Sequence, residues 1–245
     1  MHVLVTRAEP DASELKVQLE ALGHTVTVEP LLQIEFMPLK AGAFKSAQAL
    51  IATSRNGLRA LAASPVRPHA LKLPIFVVGP GTAELARTLG FARIIEGAGT
   101  AGDLVPQVAG QIEPARGTVV YLAGETFAFD LEAALENQRI AVRKVIVYRA
   151  KPSQTLTART AQLIASGPLD AVILMSPRTA AVFTQLVSAA RLKDSAHRLA
   201  YLCLSKAVAQ GLQGLGPVRA EVAAKPNTDE ILRLVERVET RASGV

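Results

Sequence analysis

The sequence predicts an α/β protein of two similar three-layer domains, each built on a parallel sheet, with one domain discontinuous in the chain. Three observations predict it. Short β-branched runs alternate with segments of helical period along nearly all 245 residues. The order of these segments repeats within the chain. Two prolines, Pro38 and Pro152, interrupt the pattern at equivalent points of that repeat.

The elements follow in order. Val3-Leu-Val5 reads as a strand. Asp11-Ala-Ser-Glu14 reads as a capping box opening a helix that carries Leu15, Leu19 and Leu22 on one face and closes at Gly23. Val26-Thr-Val28 is the next strand. Further strands are expected at Leu50–Ala52, Ile75–Val78, Val119–Leu122, Val145–Tyr148, Ala171–Met175 and Leu199–Leu204. These runs are short and mostly apolar, as strands covered by helices on both faces must be. Asn227-Thr-Asp-Glu230 caps a last helix carrying Ile231, Leu232, Leu234 and Val235, and residues 241–245 are expected to fray.

The repeat sets residues 41–61 beside 158–183. Both read helix, strand, then a serine turn opening a helix: Ser54-Arg-Asn-Gly57 against Ser176-Pro-Arg-Thr179. Val78–Gly90 then matches Leu204–Gly216, and Thr100–Leu104 matches Thr228–Leu232. The opening Val3–Leu31 matches Val119–Tyr148. The chain therefore reads as a strand–helix–strand unit, a triplet, the unit again, and the triplet again. The simplest assembly makes 38–149 an inserted domain and joins 1–34 to 153–245 as the other, with 35–37 and 150–152 as linkers.

Composition narrows the chemistry. Lys plus Arg is 27 and Asp plus Glu is 21, a net charge of +6. Cys203 is the single cysteine, which excludes an intrachain disulfide and a cysteine-type metal cluster. The four histidines fall at no metal-ligand spacing, so no metal site is expected. No apolar run approaches the ~18–20 residues that span a bilayer. Arg7 follows the apolar start and acids follow Arg7, the reverse of a signal peptide, so a cytoplasmic protein is expected. The basic residues are scattered and aromatics make up 4%, which argues against a nucleic-acid surface. A polyanionic small molecule remains open as the partner.

In an open parallel sheet, ligands bind beyond the carboxyl ends of the strands. The loops there supply Thr6 and Arg7; Ser54, Arg55, Asn56 and Gly57; Gly79 and Thr82; Thr100; Gly124; Ser176, Pro177 and Arg178; and Ser205 and Lys206. They are rich in Gly, Ser and Thr and poor in acids. Helix N-termini of this kind take carboxylates or phosphates, and both domains are expected to present them to a shared cleft. Each Ser or Thr alone also serves as an ordinary helix cap. Familiar motifs fail. Gly79-Pro-Gly81 lacks the third glycine of a dinucleotide fingerprint, and there is no phosphate loop and no G-x-S-x-G. Cys203 reads as a buried small hydrophobe and Glu125 as a surface carboxylate.

Leu4-Val-Thr-Arg7, Gly23, Pro30-Leu-Leu, Thr53-Ser-Arg-Asn-Gly57, Val78-Gly79 with Thr82-Ala83 and Leu89-Gly90, Val147-Tyr-Arg149, Ser176-Pro177 and Cys203-Leu-Ser205 stand in the order and spacing of one family. Through them the chain resembles uroporphyrinogen-III synthase over nearly its full length. The resemblance implies two flavodoxin-like domains joined by a two-stranded linker. It implies closure of the linear tetrapyrrole hydroxymethylbilane with inversion of the terminal ring and loss of water, without metal or organic cofactor. A monomer is expected. Tyr148 matches the family's tyrosine and is implied as proton donor to the leaving hydroxyl; a phenol of pKa ~10 is protonated at neutral pH. Ser205 and Val208 stand where the first repeat has Gly79 and Thr82, and Leu122-Ala-Gly124 lacks an arginine that some members carry. The competing reading is a non-enzymatic two-domain binding protein for an anionic small molecule. A nucleotide- or phosphosugar-using enzyme is disfavoured by the missing phosphate loop.

Overall fold

The structure is a computed structural model that describes residues 1–126 and 129–242. Its strands are β1 (His2–Val5), β2 (Thr25–Val28), β3 (Leu32–Phe36), β4 (Ala47–Ala52), β5 (Ile75–Val77), β6 (Ile94–Glu96), β7 (Thr118–Gly124), β8 (Val142–Pro152), β9 (Ala171–Leu174), β10 (Ala200–Cys203) and β11 (Arg219–Val222). They form a five-stranded sheet ordered β11-β10-β9-β1-β2 and a six-stranded sheet ordered β3-β8-β7-β4-β5-β6. The first sheet is parallel throughout, as is β8-β7-β4-β5-β6 in the second. The chain divides into two compact units, Met1–Gln33 with Lys151–Val245, and Ile34–Ala150.

The strand orders explain the internal repeat. Along one sheet the order is β2-β1-β9-β10-β11, along the other β8-β7-β4-β5-β6. Each strand and its repeat counterpart hold the same place, so the units are one architecture, with the strand–helix–strand segment first in one unit and last in the other. Alternation along the strands shows the three layers. Leu4 joins one apolar cluster while Val3 and Val5 join another; Leu50 and Ala52 face one side and Ala49 and Ile51 the other. Helices Pro177–Ala189 and Thr228–Ala242 cover opposite faces of the first sheet, and Arg55–Ala62 and Leu104–Ala109 those of the second. No helix among the described residues is long and apolar enough to cross a membrane.

Several local expectations change. The first helix spans Asp11–Ala21 with Pro10 at its N-cap, and Asp11 pairs with Arg7 instead of capping. Leu22 lies past the helix end and is exposed, ahead of Gly23 in the left-handed region at φ +86°. Strands β3, β6 and β11 have no counterpart in the apolar runs. Leu32–Phe36, which starts before the expected linker 35–37 and runs into it, pairs as an edge strand beside β8, and β8 itself continues to Pro152. The last helix continues through Ala242, within the tail expected to fray, and residues 243–245 lie outside the described residues.

Candidate functional site

Parallel strands end on one edge, so the loops after β1, β9 and β10 share an edge of the first sheet, and those after β4, β5, β6 and β7 share one of the second. The direction of strand succession reverses between β1 and β9 in one unit and between β7 and β4 in the other. Ligands of open α/β sheets bind at such reversals. Thr6, Arg7 and Ser176 follow the strands at the first; Ser54 and Gly124 stand at the second.

Tyr148 is built into the second by a slip in strand register. Ala123 pairs with Ile146 but Gly124 pairs with Tyr148, so Val147 is the extra residue of a bulge. A bulge re-aims the side chains beyond it. Val145, Val147 and Tyr148 accordingly all pack on the cluster containing Leu50, Leu58 and Leu122, while Ile146 is exposed. The Tyr148 ring lies over Gly124: a Cβ at 124 would be 2.7 Å from the ring Cζ and 2.8 Å from the phenol oxygen. The Tyr148 carbonyl accepts from the Glu125 N–H at 3.0 Å.

Tyr121 on β7 is buried, and its phenol hydrogen-bonds the Thr53 hydroxyl at 3.0 Å, just past the end of β4. Burial holds that phenol above its ordinary range; the Thr53 bond opposes this and the Tyr148 phenol adds to it. Next to Tyr148, Arg149 pairs with Glu35 on β3 at 2.6 Å, which holds the guanidinium above its already high range. Lys144 hydrogen-bonds Glu132, which raises its ammonium likewise.

The other expected residues fall into two groups. Several are engaged within the protein. Thr6 is fully buried and its hydroxyl donates to the Ile173 carbonyl at 2.7 Å. Arg7 pairs with Asp11 at 2.7 Å. Gly57 is held against β7, where a Cβ would meet the Leu122 carbonyl at 2.9 Å. Asn56 accepts from the Arg59 guanidinium at 3.1 Å.

The second group forms helix starts. Ser54 accepts from the Asn56 N–H at 3.2 Å, ahead of the half-buried Arg55. Ser176 accepts from the Thr179 N–H at 3.1 Å, with Pro177 exposed and Arg178 half-buried beside it. Ser205 accepts from the Val208 N–H at 3.4 Å, followed by the exposed Lys206. Gly79 opens helix Pro80–Leu89 without a side-chain cap, and Thr82 is nearly buried on its first turn. Thr100 is exposed and exchanges bonds with Asp103: its N–H donates at 2.8 Å and its hydroxyl accepts at 3.3 Å.

The structure thus gathers Ser54, Gly57, Gly124 and Tyr148 around neighbouring strand ends, with Gly79 just past the end of the adjoining strand β5. Tyr121 and Thr53, whose hydroxyls meet at the end of β4, were not among the expected residues. Thr53 stands beside Ser54 in the sequence, which was a usable signal; Tyr121 reads as core in an apolar run until the register pairing Ile51 with Tyr121 is known. Two recesses of about 410 and 420 Å³ open elsewhere, lined respectively by Gln48, Arg93 and Arg116 and by Asp170, Arg198 and Arg219, around the amino-terminal ends of the strands.

The sequence matches the family model described as Uroporphyrinogen-III synthase HemD over residues 13–233. Among solved structures, uroporphyrinogen-III synthetase from Helicobacter pylori 26695 superposes with a TM-score of 0.67 at 18% identity, covering 97% of this chain and 99% of that one. A mutant uroporphyrinogen III synthase from the extremely thermophilic bacterium Thermus thermophilus gives a TM-score of 0.62 at 18% identity, covering 98% and 99%. At that identity these likenesses speak to the fold: α/β, two parallel sheets, one discontinuous domain. No curated protein matches the sequence significantly.

Proposed function

The chain belongs to the uroporphyrinogen-III synthase HemD family, a family of hydro-lyases of tetrapyrrole biosynthesis, and on that premise we propose how its residues close hydroxymethylbilane into uroporphyrinogen III. The Tyr148 phenol donates a proton to the terminal hydroxymethyl oxygen; the C–O bond breaks and water leaves. The azafulvenium cation that remains is attacked by the substituted carbon of the last pyrrole, giving a spiro intermediate. That intermediate fragments and recloses with the ring reversed, and the carbon proton released at closure restores the phenol. The helix-start loops carrying Ser54, Arg55, Gly79, Thr82, Thr100, Ser176, Pro177, Arg178, Ser205 and Lys206 take the substrate carboxylates through N–H groups and cations. Thr6, Arg7, Asn56 and Gly57 shape those loops from within.

One observation carries the reading beyond family membership. The tyrosine is turned by a bulge onto a glycine at the carboxyl end of β7, beside the reversal where ligands of such sheets bind. The main work asked of the protein is orientation, because closure without guidance favours the unreversed ring. We further propose that it acts as a monomer in the cytoplasm, each loop set being supplied by a single chain. The test is to supply hydroxymethylbilane and resolve the product isomers. Type III in excess over type I is expected. Type I alone would overturn the reading and favour an anion-binding protein without catalysis.

A further inference from the structure

We propose that Gly124 is a positioning residue for Tyr148: its missing side chain is the seat of the phenol ring, and it sets where the hydroxyl lies. The inference rests on the reading of Tyr148 as proton donor. Three features define the seat. The register slip brings Tyr148 directly opposite Gly124. The Glu125 N–H, next along the chain, donates to the Tyr148 carbonyl at 3.0 Å and fixes the backbone that carries the ring. The ring then occupies the space a side chain at 124 would fill, with Cζ, the phenol oxygen and Cε2 at 2.7, 2.8 and 3.0 Å from a Cβ placed there.

Backbone conformation does not call for this glycine. Among the described residues the glycines in the left-handed region are Gly23, Gly90, Gly99, Gly117 and Gly216, and Gly124 is not one of them. Chain geometry therefore accepts alanine at 124, and the obstacle is the aromatic ring. A methyl group there must lift or rotate the ring and carry the hydroxyl with it. Sub-ångström placement of a donor matters, since a misplacement of about 1 Å costs up to ~100-fold in rate.

The experiment compares Gly124→Ala, Tyr148→Phe and the double variant in turnover and in the spectrum of ring-¹³C-labelled tyrosine. The chain has three tyrosines, Tyr121, Tyr148 and Tyr201, so the Tyr148 resonance is assigned by its loss in Tyr148→Phe. Gly124→Ala is expected to lower kcat ~10- to 100-fold with KM little changed, and to move the Tyr148 resonance more than that of Tyr201. In the Tyr148→Phe background it is expected to add little further loss. An equal loss in both backgrounds, or an unmoved Tyr148 resonance, overturns the proposal. If Tyr148→Phe itself keeps full turnover, the donor reading fails, and the resonance still decides the seat. If Gly124→Ala does not fold, Gly124→Ala in a Tyr148→Ala background must fold, because the ring it strikes is gone; failure there also overturns the proposal.

Discussion

The carboxylate of Glu29 accepts a 2.6 Å hydrogen bond from the hydroxyl of Thr160, and both residues are buried. The same carboxylate accepts from the Thr157 N–H at 2.9 Å and the Thr157 hydroxyl at 2.6 Å. Glu29 follows β2, and Thr157 is the N-cap of helix Ala158–Ser166, so the acid also meets the positive end of that helix. Close by, the Ser153 N–H and hydroxyl donate to the Leu31 and Pro30 carbonyls, each at 3.0 Å. These bonds tie the opening segment of the discontinuous unit to its later one.

Glu29→Ala leaves those donors without their acceptor. Bonds to a charged group contribute roughly 1.5–3 kcal/mol each, with incomplete additivity. A loss of ~3 kcal/mol or more is expected in urea unfolding, with Glu29→Gln intermediate because it keeps one acceptor oxygen. A change below ~1 kcal/mol for alanine would contradict the role given to the carboxylate.

Gly57 offers a second stability prediction. Helix Arg55–Ala62 approaches β7 so closely that a Cβ at 57 would lie 2.9 Å from the Leu122 carbonyl oxygen, a backbone atom that cannot rotate away. Gly57→Ala is expected to destabilise by ~1–3 kcal/mol through overpacking, against the usual gain of alanine over glycine inside a helix. Thermal unfolding gives the sign directly, and a stabilised variant would mean that the helix shifts at little cost.

The same physics made some elements legible in the sequence and hid others. Buried parallel strands are apolar throughout, so β1, β4, β7, β9 and β10 stood out. Edge strands need not be apolar, and Arg219-Ala-Glu-Val222 alternates polar and apolar residues over only four positions, too short a run to separate it from a loop. Leu32–Phe36 alternates, but Pro38 close behind is itself a mark of broken structure, so the two signals oppose each other. At the site, Ser54, Ser176 and Ser205 were legible as helix starts because capping is local chemistry. The engagement of Thr6 with Ile173 and the seat of Tyr148 on Gly124 join residues far apart in the chain, and only strand register reveals them.

Cys203 reports on the alkaline limit of the fold. It is fully buried on β10, and burial pushes its thiol up to about 12 from an ordinary 9.0. The folded chain therefore keeps a proton that the unfolded chain releases, and stability falls as pH rises from about 9 towards 12. Tyr201, two residues earlier, is raised for the same reason and acts in the same direction. Cys203→Ala should flatten part of that fall. The native thiol should also resist an aromatic disulfide reagent at pH 8 and react once denaturant unfolds the chain; prompt stoichiometric reaction in native buffer would show that β10 opens.

The loop cations should reveal themselves through salt. Lys206 is exposed at the start of its helix, where a carboxylate of the substrate is proposed to lie. Lys206→Glu is expected to raise KM several-fold at low ionic strength, with the difference shrinking as salt shortens the ~10 Å screening length of 0.1 M solution. An effect of equal size at every ionic strength would point to a changed loop conformation and not to charge.

Tyr148→Phe separates donation from packing. Phenylalanine keeps the ring that rests on Gly124 and packs against the Leu122 cluster, and the bulge at Val147 depends on the backbone. The melting temperature should therefore stay close to that of the parent, and the carboxylate contacts that set KM should survive. The proton offered to the departing hydroxyl is lost. General acids of this kind contribute roughly 10²–10⁴ in rate, so kcat should fall within that range while KM changes little. The isomer ratio provides the second axis. If the tyrosine donates and the loops fold the substrate, slow turnover by the variant still yields type III; a shift toward type I would assign the ring a part in holding the chain's conformation. Unchanged turnover would end the donor role.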